Sequence, residues 1–137
     1  MIRRALLLAL ALGVLGAGPV LACQMPALDS ARLLDDGKGF AVAWRLVPAE
    51  PQIGQFFAVE FAVCNRAAPA SVETLRIDAT MPAHRHGMNF QPRIAATGAD
   101  LYRAEGMMFH MPGTWQLVFE QRMPGGPARL TTDIEID

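Results

Sequence analysis

Phe40-Ala41-Val42-Ala43-Trp44-Arg45-Leu46 places a large apolar side chain at every second position, with small or polar residues between. Phe57-Ala58-Val59-Glu60-Phe61-Ala62-Val63 repeats the pattern, and Glu60 on the opposite face argues against a strand buried on both sides. A period of two over such a run is that of a half-buried β-strand. Working outward, further runs fall at Leu75, Ile77 and Ala79, at residues 93–97 and 101–109, at Trp115, Leu117 and Phe119, and at Leu130, Thr132, Ile134 and Ile136. Turn residues punctuate them: Pro48, Pro51 and Gly54, then Pro69, Pro82 and Gly87, Gly98, Pro112 and Gly113, and the group Pro124, Gly125, Gly126, Pro127. Seven short strands within about 100 residues predict an all-β, two-sheet antiparallel sandwich. Only residues 29–34 read as a helical turn.

The first 22 residues, MIRRALLLALALGVLGAGPVLA, have another design. Arg3 and Arg4 precede an apolar run, which ends in glycine, proline and the small residue Ala22. This is the layout of a cleaved, Sec-type signal peptide. Its apolar core, from Ala5 to Leu15, is short of the about 20 residues a membrane span needs. The expected organisation is therefore a signal peptide over residues 1–22, an N-terminal segment over 23–38 and one sandwich domain over 39–137. The expected location is periplasmic or secreted. Without Arg3 and Arg4, ten basic residues face 13 acidic ones. A slightly acidic domain whose single lysine is Lys38 suits neither nucleic acid nor a membrane surface.

Cys23 directly follows the expected cleavage site, and Cys64 is the only other cysteine. Two readings compete. Cys23 pairs with Cys64 in an oxidising compartment, the expected use of two cysteines in an exported domain. Alternatively, Val20-Leu21-Ala22-Cys23 is a lipobox, and a lipid on Cys23 anchors the protein to a membrane. Leucine next to the small residue is unusual for a lipobox, and no Ser/Gly tether follows, so the residues favour the disulfide.

All three histidines and most methionines of residues 23–137 fall in two stretches: Met81-Pro82-Ala83-His84-Arg85-His86-Gly87-Met88 and Met107-Met108-Phe109-His110-Met111-Pro112-Gly113. Thioether is a soft ligand that selects Cu(I), and imidazole serves both copper oxidation states. Zinc prefers thiolate, imidazole or carboxylate. Successive connections in an up-and-down sandwich alternate ends, so the loops after the third and fifth runs share one end. His84 and His86 share a face if the segment is extended, and Gly87 permits a turn that returns Met88 toward them. The expected metal ligands are His84, His86, Met88, His110 and Met111. Met81, Met107 and Met108 read as packing, because methionine in a sandwich strand is more often core filler than ligand. Trp44, Trp115 and Tyr102 also read as core.

The pattern Met81-Pro-x-His-x-His-Gly-Met88, Gly98-x-x-x-Tyr102-x-x-x-Gly106 and His110-Met-Pro-Gly-x-Trp115-x-Leu117 resembles the YtkA-like domain over residues 51–136. The resemblance implies a small exported or membrane-tethered immunoglobulin-like module related to the FixH-like proteins. It also implies a setting near copper handling or oxidase assembly. The expected function is that of an exported copper-binding protein, a carrier, chaperone or sensor, with Cu(I) favoured. The alternative is a metal-free periplasmic interaction module that assists a membrane oxidase or efflux component. Catalysis is not expected: the chain has no Gly-x-Ser-x-Gly, no phosphate loop and no CxxC, and Asp78 and Glu105 read as isolated, solvent-facing carboxylates.

Overall fold

The alternation along Phe40–Val47 and Phe56–Asn65 produces the two central strands of one sheet, and the other apolar runs follow the same rule. In the computed structural model, residues 23–137 are described. The expected signal peptide, residues 1–22, lies outside them. The strands are β1 (Arg32–Asp35), β2 (Phe40–Val47), β3 (Phe56–Asn65), β4 (Leu75–Met81), β5 (His86–Gly87), β6 (Arg93–Gly98), β7 (Leu101–Met108), β8 (Gly113–Gln121) and β9 (Ala128–Ile136). They form a five-stranded sheet in the order β1-β2-β3-β7-β6 and a four-stranded sheet in the order β5-β4-β8-β9, with all pairs antiparallel.

The sandwich is as expected, but it has nine strands rather than seven. The helical turn expected at residues 29–34 is instead a turn followed by β1, whose Arg32 and Leu34 pair with Trp44 and Val42 of β2. The sheet therefore starts within the segment expected to precede the domain. The second addition, β5, pairs His86 with Met81.

Inward-facing side chains of both sheets meet in one core, where Trp44, Phe61, Met107, Trp115 and Leu117 are fully buried. Each such side chain contributes about 2–3 kcal/mol by leaving water. Apart from the two-residue β5, which runs in the same direction as β6, the chain direction alternates from β2 onward. One pole therefore collects the β2–β3, β4–β6 and β7–β8 connections.

The opposite pole carries the expected disulfide. Cys23 and Cys64 are joined with their Cα atoms 5.7 Å apart, and no cysteine is free among the described residues. From there residues 23–31 run as a strap over the outer face of the five-stranded sheet, where Ala41 and Ala62 are buried. Arg45 donates a 3.1 Å hydrogen bond to the Asp29 carbonyl at the strap's far end. Beside it, Glu60 bridges Arg45 and Arg103 at 2.6 and 2.7 Å. The Arg45 hydrogen bond, helped by Arg103, holds the Glu60 carboxyl below the usual carboxylate range against the opposing effect of burial.

Candidate metal centre

β4 brings Met81 to the loop pole, where the chain makes a single 3-10 turn over Pro82–His84. Arg85 then reverses it at φ 56°, its N–H bonded to the Pro82 carbonyl at 3.3 Å. The turn expected at Gly87 is thus made by Arg85. Gly87 lies in β5 for a different reason: a Cβ there would come within 3.3 Å of the Ala79 oxygen. The Met88 N–H donates to that same oxygen at 3.1 Å. His84 and His86 are brought together by the reversal between them, not by an extended segment.

The second half of the site follows β7. The Phe109 carbonyl accepts the Gly54 N–H at 2.8 Å, which fixes the chain before His110. Gly113 opens β8 at φ 122°, and a Cβ on it would stand 2.9 Å from Met81 Cε. Trp115 is buried and donates its indole N–H to the Met111 carbonyl at 3.0 Å, which closes the turn. Part of the motif Met-Pro … Met-Pro-Gly-x-Trp therefore serves packing, with glycine required where methionine fills the space.

The two halves converge. The His86 ring lies 5.7 Å from His84 and 5.1 Å from His110, centre to centre. His86 and His110 stand edge-on to Trp115, with centroid distances of 5.8 and 5.2 Å. Phe109 lies 5.1 Å from Trp115. Trp115, read from the sequence as core alone, is also the floor of this cluster. Met88 and Met111 are half-buried against the core, and His84 is exposed. Met81 and Met107 are core, as expected.

His86 Nδ1 is 3.3 Å from the Gly87 carbonyl, a hydrogen bond that exists when Nδ1 carries the proton and leaves Nε2 as an open donor atom. Among the described residues no hydrogen bond or ion pair occupies the rings of His84 or His110. No three His, Cys, Asp or Glu side chains gather tightly enough, as they stand among the described residues, to hold an ion. The imidazoles thus adjoin in sequence through His86, and a closed ligand set needs His84 to swing inward or a thioether to join. Asp78 and Glu105 are not isolated: they pair with Arg76 at 2.7 Å and Arg103 at 2.9 Å.

No curated protein and no solved structure matches the chain. A family model described as YtkA-like matches residues 41–120, from the second residue of β2 to the penultimate residue of β8. That span holds both halves of the histidine cluster and more than half of the chain, and it agrees with the motif residues placed above. The chain belongs to the YtkA-like family.

Proposed function

We propose that this domain is an exported copper carrier, chaperone or sensor that takes one ion at the loop pole, Cu(I) favoured, and performs no catalysis. His84, His86 and His110 supply nitrogen, and Met88 or Met111 supplies sulfur. The spacing of His86 and His110 carries the reading. With metal–nitrogen bonds of about 2 Å and a ring radius of roughly 1 Å, two imidazoles sharing a tetrahedral ion sit about 5 Å apart. The observed separation is 5.1 Å. The half-buried thioethers favour a soft, univalent ion. Trp115 and Phe109 exclude water from one side, while exposed His84 leaves the other side open to a recipient. Export supports the use of thioether in place of thiol, and the disulfide claims the Cys23 sulfur that a lipid anchor would need.

Titration of the apo-protein with Cu(I) against a competing chelator tests this. Sub-micromolar binding of one equivalent is expected, lost in His86→Ala and His110→Ala and weakened as pH falls, because imidazole ligates only when neutral. Absence of binding by either oxidation state would overturn it. A second reading, the metal-free interaction module for an oxidase or efflux component, draws on Phe56 and Phe90. These are 60% and 42% exposed, and their rings touch at 5.1 Å. Aromatic side chains are enriched at protein contact surfaces relative to the rest of the surface.

A further inference from the structure

The exposed, T-shaped pair of Phe56 and Phe90 stands between two open clefts. Phe56 walls the first, about 360 Å³ on the outer face of the five-stranded sheet, together with Val47, Ala58 and Gly106. Gly106 is the extra residue of a β-bulge opposite Phe57 and Ala58, and a Cβ on it would meet no atom within 4 Å. Phe90 walls the second cleft, about 310 Å³, where Met88 and Ile94 join Leu75 and Ile77 of β4. β5 pairs with β4 only at Thr80 and Met81, which leaves this edge of β4 uncovered. The charges around the clefts are uneven. Glu105 and Asp78 are each held by an arginine, Arg103 and Arg76. Arg85, between His84 and His86, and Arg93, three residues after Phe90, are exposed and form no ion pair among the described residues. The carboxylates of Glu50, Glu135 and Asp137 line a cleft at the other edge of the sandwich, where β9 meets β1 and β2.

We infer that the Phe56–Phe90 ridge docks an acidic protein surface, with an apolar side chain of the partner in a cleft and its carboxylates facing Arg85 and Arg93. Aromatic anchors beside a pocket, with charge at the rim, carry most of the binding energy at protein contacts. Opposite potentials steer and orient the encounter, and the acidic edge of the sandwich repels the same partner. The partner is thereby set over the cleft that ends at Met88, next to the histidines. The inference gives the interaction-module reading its partner chemistry and rests on the two phenylalanines, not on copper. That the partner also exchanges the ion rests on the copper reading.

A phage library of random dodecapeptides, selected on the metal-free domain and counter-selected on the double variant Phe56→Thr/Phe90→Ser, tests this. Peptides with an aromatic or leucine anchor among two or more Asp or Glu residues are expected to be enriched. A synthetic copy of the most enriched peptide is then titrated into wild type and variants. Its affinity is expected to fall at least tenfold in Phe90→Ser and in Arg85→Asn/Arg93→Gln, and to weaken as sodium chloride is raised. The changed positions are exposed, so the melting midpoints are expected to match wild type. No enrichment, enrichment of neutral or basic peptides, or an affinity indifferent to the arginine changes would overturn the inference. Two other occupants would overturn it as well: a second copy, seen as dimerisation lost in Phe90→Ser, or a membrane, seen as binding to phosphatidylglycerol vesicles lost in the same variant. Because the domain is metal-free throughout, failure here leaves the copper titration standing, and failure of that titration leaves the docking standing.

Discussion

Replacing Cys23 and Cys64 together by serine tests how the strap is held. The bond spans 41 positions of sequence, and closing a loop of that length restricts the unfolded chain by about 4 kcal/mol in the chain-entropy picture. A second limit comes from the native side. Once the bond is gone, residues 23–31 can lift while the sandwich stays folded, so the loss cannot exceed what their docking contributes. That docking rests on half-buried Met25 and Leu28 and on the Arg45 bond to Asp29. At about 1 kcal/mol for each half-buried apolar side chain or hydrogen bond, it comes to roughly 3 kcal/mol. The variant is therefore expected to lose about 2–3 kcal/mol, roughly 10 °C in midpoint. Urea unfolding reads both limits at once. An unchanged m-value with the full loss means that the strap stays seated, and a smaller m-value means that it has already lifted. A loss under about 1 kcal/mol with the m-value unchanged would refute the reasoning. Titration of the oxidised wild-type domain should find no reactive thiol.

Other perturbations probe separate parts of the fold. Glu60→Gln removes a carboxylate, 25% exposed, that bridges two arginines, and should cost about 1–2 kcal/mol at neutral pH. Because its native pKa lies below the unfolded value, that contribution is complete above the ordinary carboxylate range and fades as pH falls through the lowered native value. Thermal melts of wild type and Glu60→Gln should therefore converge in acid, and a gap that persists there would contradict the bridge. Gly113→Ala combines a positive φ of 122° with a contact 2.9 Å from Met81 Cε, and should cost about 1–3 kcal/mol by denaturant unfolding. Tyr102→Phe deletes the hydroxyl that donates to the Ala70 carbonyl at 3.1 Å, a loss of about 1 kcal/mol measurable in the same way.

Most of the sandwich was legible because its strands bury one face, and burying one face imposes a period of two. β1 was not. Arg32-Leu33-Leu34-Asp35 puts two leucines side by side between charged residues, and only pairing with the next strand, β2, makes it extended. β5 holds two residues, too few to show any period. The convergence of the histidines followed from the alternation of loop ends, which the strands other than the short β5 preserve. The local route did not follow, because a left-handed arginine carries no signal comparable to a glycine, and Gly87 drew the turn to itself. Trp115 was legible as core, but not as the wall shared by His86 and His110. Alternation assigns an inward direction and says nothing of which loops fold down over the end of a strand.

The disulfide and the histidines occupy opposite poles, separated along β3 by the run from Phe57 to Cys64, about 23 Å at strand rise. Anything fastened beside the disulfide, whether a solid support, a fusion partner or a fluorescent label, therefore points the imidazoles away from itself. Two domains joined through that end would hold their histidine poles more than twice that distance apart when extended end to end, too far for one ion to be shared between them. A bivalent assembly that brings two cargo sites together must instead be linked at Asp137, where β9 ends beside the loop pole.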